Sequence, residues 1–421
     1  MKHHLIIQLA RFGDLLQTKR LVKSLEGPGS QVHILVDASL VRLGSLLYPH
    51  AQIHSLYAHG PGVHGNLGAV QVFRCNRKTM QKLAEQKFSQ VFNLNYSGMN
   101  HALSRLFSPE IVRGHGCLGP QATKSVWTDL GFRWARFRAT QGINLVDYWA
   151  HLADAPIAPE LVNPAASGKG EGIGIVLAGR NSRRSLPPSI LAGVGASVWS
   201  VHGRGKIILL GSKSERDAGR ALISHFPSAI REKVVNLAGK TDWNGLFDVI
   251  ADLDTVVTPD TGTMHLAAHL GIPVQAVFLS SAWCFETGPY GLGHTIWQSV
   301  LSCAPCVESQ PCPHEVACLE PFASRDFLRV LSSGKFDRDI PGITGLHSGF
   351  DELGATYFPF WGKDPYARER STFRNFLSMH LGIGCPGEAN IPQSLADMMY
   401  LEKDWMTRPY IGPLPQEGVH G

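Results

Sequence analysis

The chain has 421 residues, of which 44% are hydrophobic, 17% charged and 9% aromatic, with a mean hydropathy of −0.03. Its length is well beyond the roughly 100–200 residues of one domain, so at least two compact units are expected, and the composition excludes a chain that is disordered throughout. No apolar run reaches the roughly 18–20 residues that span a bilayer, and Arg11 and Asp14 interrupt the opening stretch MKHHLIIQLARFGD before a secretory core can form, so a soluble, cytoplasmic protein is expected.

The formal net charge of +5 is unevenly spread: residues 1–160 hold 17 Lys and Arg against 9 Asp and Glu, and the remainder holds 22 against 25. The basic half has neither an RNA-binding signature nor a basic recognition helix. No nucleic-acid partner is expected, and an anionic small molecule, lipid head group or acidic glycan suits the surface at least as well.

In chain order, His4–Leu9 reads as a buried strand, followed by the tight turn Ala10–Asp14 and an amphipathic helix over Leu15–Leu25. A strand at Val32–Val36, a Gly- and His-rich connection over about 58–69, a helix from about Lys78 to Gln86 and a strand at Val91–Leu94 continue the alternation. This spacing predicts a parallel sheet covered on both faces. The Pro-, Gly- and Ser-rich segment 163–172 reads as a linker. Beyond it come strand Ile173–Leu177, strand Lys206–Leu210, helix Glu215–His225, strand Val234–Leu237, helix Trp243–Ala251, strand Thr255–Thr258, helix Thr261–Leu270 and strand Val274–Phe278. The expected organisation is an α/β chain with a Rossmann-like unit over 1–162, a second over 173–334, and an extension over 335–421 whose fold the pattern does not specify. Short helical pieces at Ser371–His380 and Gln393–Lys403, with Phe358, Phe360, Trp361 and Trp405, argue that the extension is not purely disordered.

The most informative motif runs from Thr258 to Val274. A strand delivers Asp260 to the first turn of a helix, where Thr261, Gly262 and Thr263 offer backbone N–H groups at the positive end of the helix dipole, a seat for a diphosphate. Gly262 lets a phosphate approach the backbone, and His265 follows about one turn later; on spacing alone, Asp260 as a plain N-cap and His265 as a helix-surface residue fit equally well. In the first βα turn, Gly13 and Asp14 stand where open parallel sheets bind ligands, and Asp14 is either a general base toward a hydroxyl or an N-cap. The turn Leu177–Pro187 carries Arg180, Arg183 and Arg184, either to neutralise a departing diphosphate or as a solvated basic loop. Glu215, at the end of Leu210–Glu215, either bonds a ribose or favours a helix start.

These segments, in this order, resemble glycosyltransferase family 9, the ADP-heptose lipopolysaccharide heptosyltransferases. The resemblance covers roughly residues 4–320 and is most specific in Asn236–Lys240, in Asp260–Val274 and in Thr287–Gly291. It implies a GT-B fold, two Rossmann-like domains facing a cleft, and inverting transfer of a heptose from a nucleotide-diphosphate sugar, ADP-heptose in the family, to a lipopolysaccharide-core-type acceptor, with no cofactor required for catalysis. It implies Asp14 as catalytic base and Arg184, Glu215, Asp260, Thr261, Gly262, Thr263 and His265 as donor-site residues. Arg184 stands where many members have Lys, Thr263 where Pro or Leu is commoner, and the tail of roughly 85 residues has no counterpart. The basic residues Arg74, Arg77, Lys78 and Arg113 suit an anionic glycolipid acceptor, and the same resemblance implies peripheral contact with the cytoplasmic face of the inner membrane.

Cys303, Cys306, Cys312 and Cys318 are spaced closely enough to ligate one structural metal ion, zinc or iron, or to stay free or redox-paired. Some relatives that glycosylate proteins resemble this chain in carrying a four-cysteine iron site. Two further readings follow: a protein heptosyltransferase with a metal-bearing cysteine cluster, and a catalytically silent sugar-nucleotide or glycan-binding protein of the same fold.

Overall fold

The apolar opening run becomes the centre of a six-stranded sheet. In a computed structural model, which describes residues 1–58, 69–177, 182–202, 204–279, 281–307, 309–384 and 391–402, this sheet comprises β1 (Lys2–Gln8), β2 (Ser30–Asp37), β3 (Gln52–Leu56), β4 (Gln90–Asn93), β5 (Val112–Leu118) and β6 (Gln121–Lys124). The order is β3-β2-β1-β4-β5-β6, parallel except for the β5–β6 hairpin. Leu5, Ile6 and Ile7 have no exposed surface, as a strand covered on both faces requires.

The expected helix Leu15–Leu25 is two helices, Phe12–Gln17 and Lys19–Leu25. Thr18 marks the break: its hydroxyl and that of Tyr48 both donate to the Leu15 carbonyl, each at 2.6 Å. The helix expected from Lys78 begins earlier, at Ala69, and the Gly- and His-rich connection before it falls at 59–68, outside the described residues. The helix Val41–Leu47 and strand β3 were not anticipated. In β3 the alternation is masked by His54, a polar residue buried because its Nε2 meets Nδ1 of His33 at 2.9 Å.

The second sheet has eight strands: β7 (Gly172–Val176), β8 (Lys206–Leu210), β9 (Val234–Asn236), β10 (Thr255–Pro259), β11 (Val274–Phe278), β12 (Thr295–Ser299), β13 (Ile343–Phe350) and β14 (Ala355–Trp361). They run β14-β13-β12-β11-β10-β7-β8-β9, parallel except that β13 is antiparallel to both of its neighbours. The extension that carried no legible fold therefore supplies the last two strands at one edge of the sheet. Pro359 is tolerated because β14 is the outermost strand, and Phe358 faces solvent rather than the core. Trp405 lies outside the described residues.

The Pro/Gly segment before β7 is pinned rather than free. Asn163 accepts a hydrogen bond from the Lys19 ammonium at 2.8 Å and donates to the Tyr290 carbonyl at 2.7 Å. The N–H groups of Ala166 and Ser167 bond to the carbonyls of Leu292 and Gly271.

After β14 the chain returns to the first sheet's side through helices Ala367–Leu381 and Gln393–Tyr400. Phe373 packs edge-on to Trp134, and Arg133 donates to the Met399 carbonyl. Where the two halves and this return meet, Asp147 is completely buried. Its Oδ1 accepts from Arg20 and from the Tyr290 hydroxyl, each at 2.6 Å, and its Oδ2 from the Ala355 N–H at 2.7 Å. Arg20 also donates to the carbonyls of Ile157 and Leu353. Gly354 adopts φ +140° and has no room for a side chain, since a Cβ there would lie 2.1 Å from the Asp147 carboxyl carbon.

Two outcomes are expected. Arg20→Ala leaves a buried carboxylate without its cation and should lower the unfolding free energy by about 3–5 kcal/mol in urea denaturation. Burial holds His33, His54, His151, His265 and His294 at pKa values of about 4 and His115 at about 3. Because these values lie below the ordinary 6.5, the stabilisation is complete above about pH 6.5 and is lost as pH falls toward 4. The urea midpoint should drop across that window; a flat profile would contradict it.

Candidate functional site

Ligand crevices in open parallel sheets form where the strand order reverses, and each sheet here has such a point. In the first, β1 has β2 on one side and β4 on the other; in the second, β7 lies between β8 and β10. The turns leaving the carboxyl ends of β1, β7, β8 and β10 line one cleft of about 740 Å³. The first half brings Asp14 and the second Arg184, Glu215, Asp260, Thr261, Gly262, Thr263 and His265, so every expected catalytic and donor-site residue borders this cleft. Arg180, Gly179 and Asn181 of the arginine turn lie outside the described residues.

The turn bearing Asp14 is braced from beneath. Gln8, almost fully buried, donates through Nε2 to the Asp14 carbonyl at 3.4 Å, and its Oε1 accepts from Asn95 at 2.6 Å and from the Ala10 N–H at 3.3 Å. Asn95 in turn accepts the Leu9 N–H at 2.7 Å. The Asp14 carboxylate accepts the Arg11 N–H through Oδ2 at 3.0 Å, so it closes a capping box on the helix Phe12–Gln17 while lining the cleft.

Across the cleft, the N-cap of helix Gly262–His269 is Thr261, whose hydroxyl accepts the Met264 N–H at 3.3 Å. Asp260 is thereby released from the capping alternative. Its Oδ2 accepts from Thr287 at 3.0 Å and pairs with Arg184 at 3.3 Å. The arginine of the second unit's first βα turn therefore sits against the acidic residue at the helix N-terminus, and the two define one polar wall.

The two halves touch at Gly262. A Cβ on this residue would lie 2.1 Å from Cδ1 of Phe12, so the absent side chain makes room for an aromatic ring of the opposite half. Gly13 is similarly close, with its notional Cβ 3.3 Å from Cδ2 of His265. His265 is buried, meets Gln17 Nε2 through its own Nε2 at 3.2 Å, and is held by burial at a pKa of about 4. The ring is neutral at pH 7. With the Gln17 amide donating, its remaining proton belongs on Nδ1.

Glu215 marks a helix start: its Oε2 accepts the Ser212 N–H at 2.5 Å in a capping box, which makes it the end of a 3₁₀ turn before helix Arg216–His225, and the residue also borders the cleft. The sequence reading missed Phe12, Gln17, Thr241, Asp242, Trp243 and Leu246. Trp243 had been read only as a helix start. Its ring lies 4.9 Å from that of Phe12, and Asp242 caps the helix through Gly245 N–H at 2.8 Å. An aromatic residue directly after a helix cap was the available signal.

The four basic residues assigned to the acceptor do not border the cleft. Arg74, Arg77 and Lys78 are exposed on helix Ala69–Glu85, and Arg113 pairs with Asp154 at 3.9 Å. Cys303, Cys306, Cys312 and Cys318 do line one pocket, of about 280 Å³. Among the described residues, however, no three His, Cys, Asp or Glu side chains are grouped to hold a metal ion. Arg183 donates to the Cys306 sulfur at 3.0 Å, and burial pushes that thiol above its ordinary range. The seven described cysteines are free thiols, and Cys385 lies outside the described residues.

Residues 198–316 match the model of glycosyltransferase family 9 (heptosyltransferase). Over 72 residues the chain is 40% identical to lipooligosaccharide heptosyltransferase 2 of Haemophilus influenzae, and over 73 residues 32% identical to lipopolysaccharide heptosyltransferase 2 of Escherichia coli; each match covers 17% of this chain and 21% of the relative. The chain thus spans about a fifth of the length of the curated relatives it matches. In three dimensions it is similar to an E. coli ADP-heptose lipopolysaccharide heptosyltransferase II, with a TM-score of 0.52 and 16% identity over 72% of this chain and 91% of that one. It is also similar to an E. coli heptosyltransferase solved with ADP, with a TM-score of 0.53 and 16% identity over 71% and 93%. At such identities the likeness is one of fold, and that fold is GT-B. Residues 198–316 are thus similar to glycosyltransferase family 9, and the two facing sheets give the chain the GT-B fold of these solved structures.

Proposed function

We propose that this protein is an inverting glycosyltransferase that moves a heptose from ADP-heptose to an anionic acceptor of the lipopolysaccharide-core type. The observation that carries this reading is the single cleft in which a carboxylate of the first half faces a helix N-terminus and an arginine of the second. Inverting transfer needs both parts: a base on the acceptor hydroxyl and a cationic, hydrogen-bonding seat for the departing nucleotide diphosphate.

In this scheme Asp14 takes the proton of the acceptor hydroxyl as its oxygen attacks the anomeric carbon from the face opposite the diphosphate. The bond from that carbon to the diphosphate oxygen breaks, and the charge it releases is met by Arg184 and by the backbone N–H groups at the start of helix Gly262–His269. Asp260 holds Arg184 in place, which fixes the guanidinium before the charge develops. Neutral His265 adds a donor without adding a second positive charge beside Asp14. Trp243 and Glu215 border the part of the cleft that suits the nucleoside, through ring stacking and a hydroxyl-accepting carboxylate respectively. The scheme asks for no catalytic metal.

Calorimetric titration with ADP, UDP, GDP and CDP should show selective ADP binding; preference for another nucleotide would move the donor, and failure of a folded sample to bind any would remove the donor-site assignment. Asp14→Asn should lower kcat by about 10²- to 10⁴-fold and leave ADP affinity unchanged. Transfer at the unaltered rate by that variant would exclude Asp14 as the base.

A further inference from the structure

The helix Ala69–Glu85 carries a surface that the proposed transfer does not use. Its inner face is buried through Asn76 and Leu83. Asn76 ties the helix to the end of β3, accepting the Tyr57 N–H at 2.9 Å and donating to the Tyr57 carbonyl at 3.2 Å. The first turns of the helix are therefore held at the carboxyl end of the sheet, the end from which the Asp14 turn also leaves.

The outer face is divided lengthwise. Along one side, Val70, Phe73 and Met80 follow helical spacing, and Val70 and Phe73 are 64% and 66% exposed. Phe73 and Met80, with Val72, Arg77 and Leu106, border a groove of about 520 Å³ whose walls are mainly apolar. Along the other side, Arg74, Lys78 and Lys82 are spaced four apart, with Arg77 between the two stripes. None of these four cations is ion-paired among the described residues. Glu85, in the last turn, is the helix's single acidic residue.

Exposed aromatic and aliphatic side chains beside a row of unpaired cations are the pattern by which a helix lies in a membrane interface, apolar stripe in the acyl boundary and basic stripe among anionic head groups. We propose that this face docks the protein onto an anionic phospholipid bilayer. The charge of the face selects the occupant: four unpaired cations beside an apolar groove complement a negatively charged lipid surface, and docking there brings the sheet end that carries Asp14 toward the head groups. The inference is independent of which nucleotide the cleft binds.

The test is co-sedimentation of the full chain with vesicles of phosphatidylcholine alone or with about one-third phosphatidylglycerol, with the melting curve of each variant as the control for folding. Binding to the anionic vesicles, weakened by salt and absent from neutral ones, is expected. At about fivefold per cation, Arg74→Gln, Lys78→Gln and Lys82→Gln combined should reduce partitioning roughly a hundredfold. Phe73→Ser should weaken it at unchanged charge. No binding to anionic vesicles, or binding unaffected by these substitutions, would overturn the proposal. So would self-association in light scattering that Phe73→Ser abolishes, which would assign the face to a second copy of the chain. Vesicle binding without ADP binding would sustain this inference while defeating the donor reading.

Discussion

A buried carboxylate ties the two halves together. Asp147, on a short helix of the first half, is reached by Arg20 from the same half, by Tyr290 from the second and by the Ala355 N–H at the start of β14. A charge so buried is tolerable only if its lone pairs are satisfied and a cation lies beside it. Each of these partners belongs to a different stretch of chain, so the carboxylate is satisfied only when all three are in register. Gly354 leaves no space for an alternative seat. The consequence is felt in the cleft, because helix Lys19–Leu25, which carries Arg20, continues from the helix that carries Asp14.

The cleft is formed where two strand-order reversals face each other, and its polar groups are supported rather than suspended. Gln8 and Asn95 secure the Asp14 turn from below; Thr287 and Arg184 fix Asp260; Gln17 reaches across to His265. Closeness between the halves comes from missing side chains at Gly13 and Gly262 as much as from attraction between those present. Burial keeps His265 neutral there, so positive charge opposite Asp14 is concentrated on Arg184. Such a site is suited to stabilise charge that develops on a leaving group.

Much of this was legible in the chain because the relevant signals are local. Strands β8 and β11 and helix Trp243–Ala251 have the bounds that their apolar patterns indicate, since a run of β-branched and aliphatic residues between turn residues has few other uses. The residues around Asp14 and Asp260 could be picked out as strand-to-helix turns for the same reason. Other features depend on partners far away in sequence. The break at Thr18 is made by Tyr48, and β3 is disguised by a histidine whose partner is on β2. Strands β13 and β14 need β12 to pair with, and their glycines and prolines carry no strand signal of their own.

By itself, then, the amino-acid order determined that this is a two-unit α/β chain with ligand-type turns after β1 and β10, because hydrophobic period and turn chemistry act over a few residues. Tertiary structure decided which turns share a cleft, that Phe12 occupies the space beside Gly262, that Trp243 joins the site, and that the basic residues of helix Ala69–Glu85 do not border it. It also gathered the four cysteines around one pocket and set Arg183 against Cys306. The physical reason is the same in each case: charge pairing, desolvation and steric exclusion depend on distances of a few ångströms between residues that may be hundreds of positions apart, and only the packed chain sets those distances.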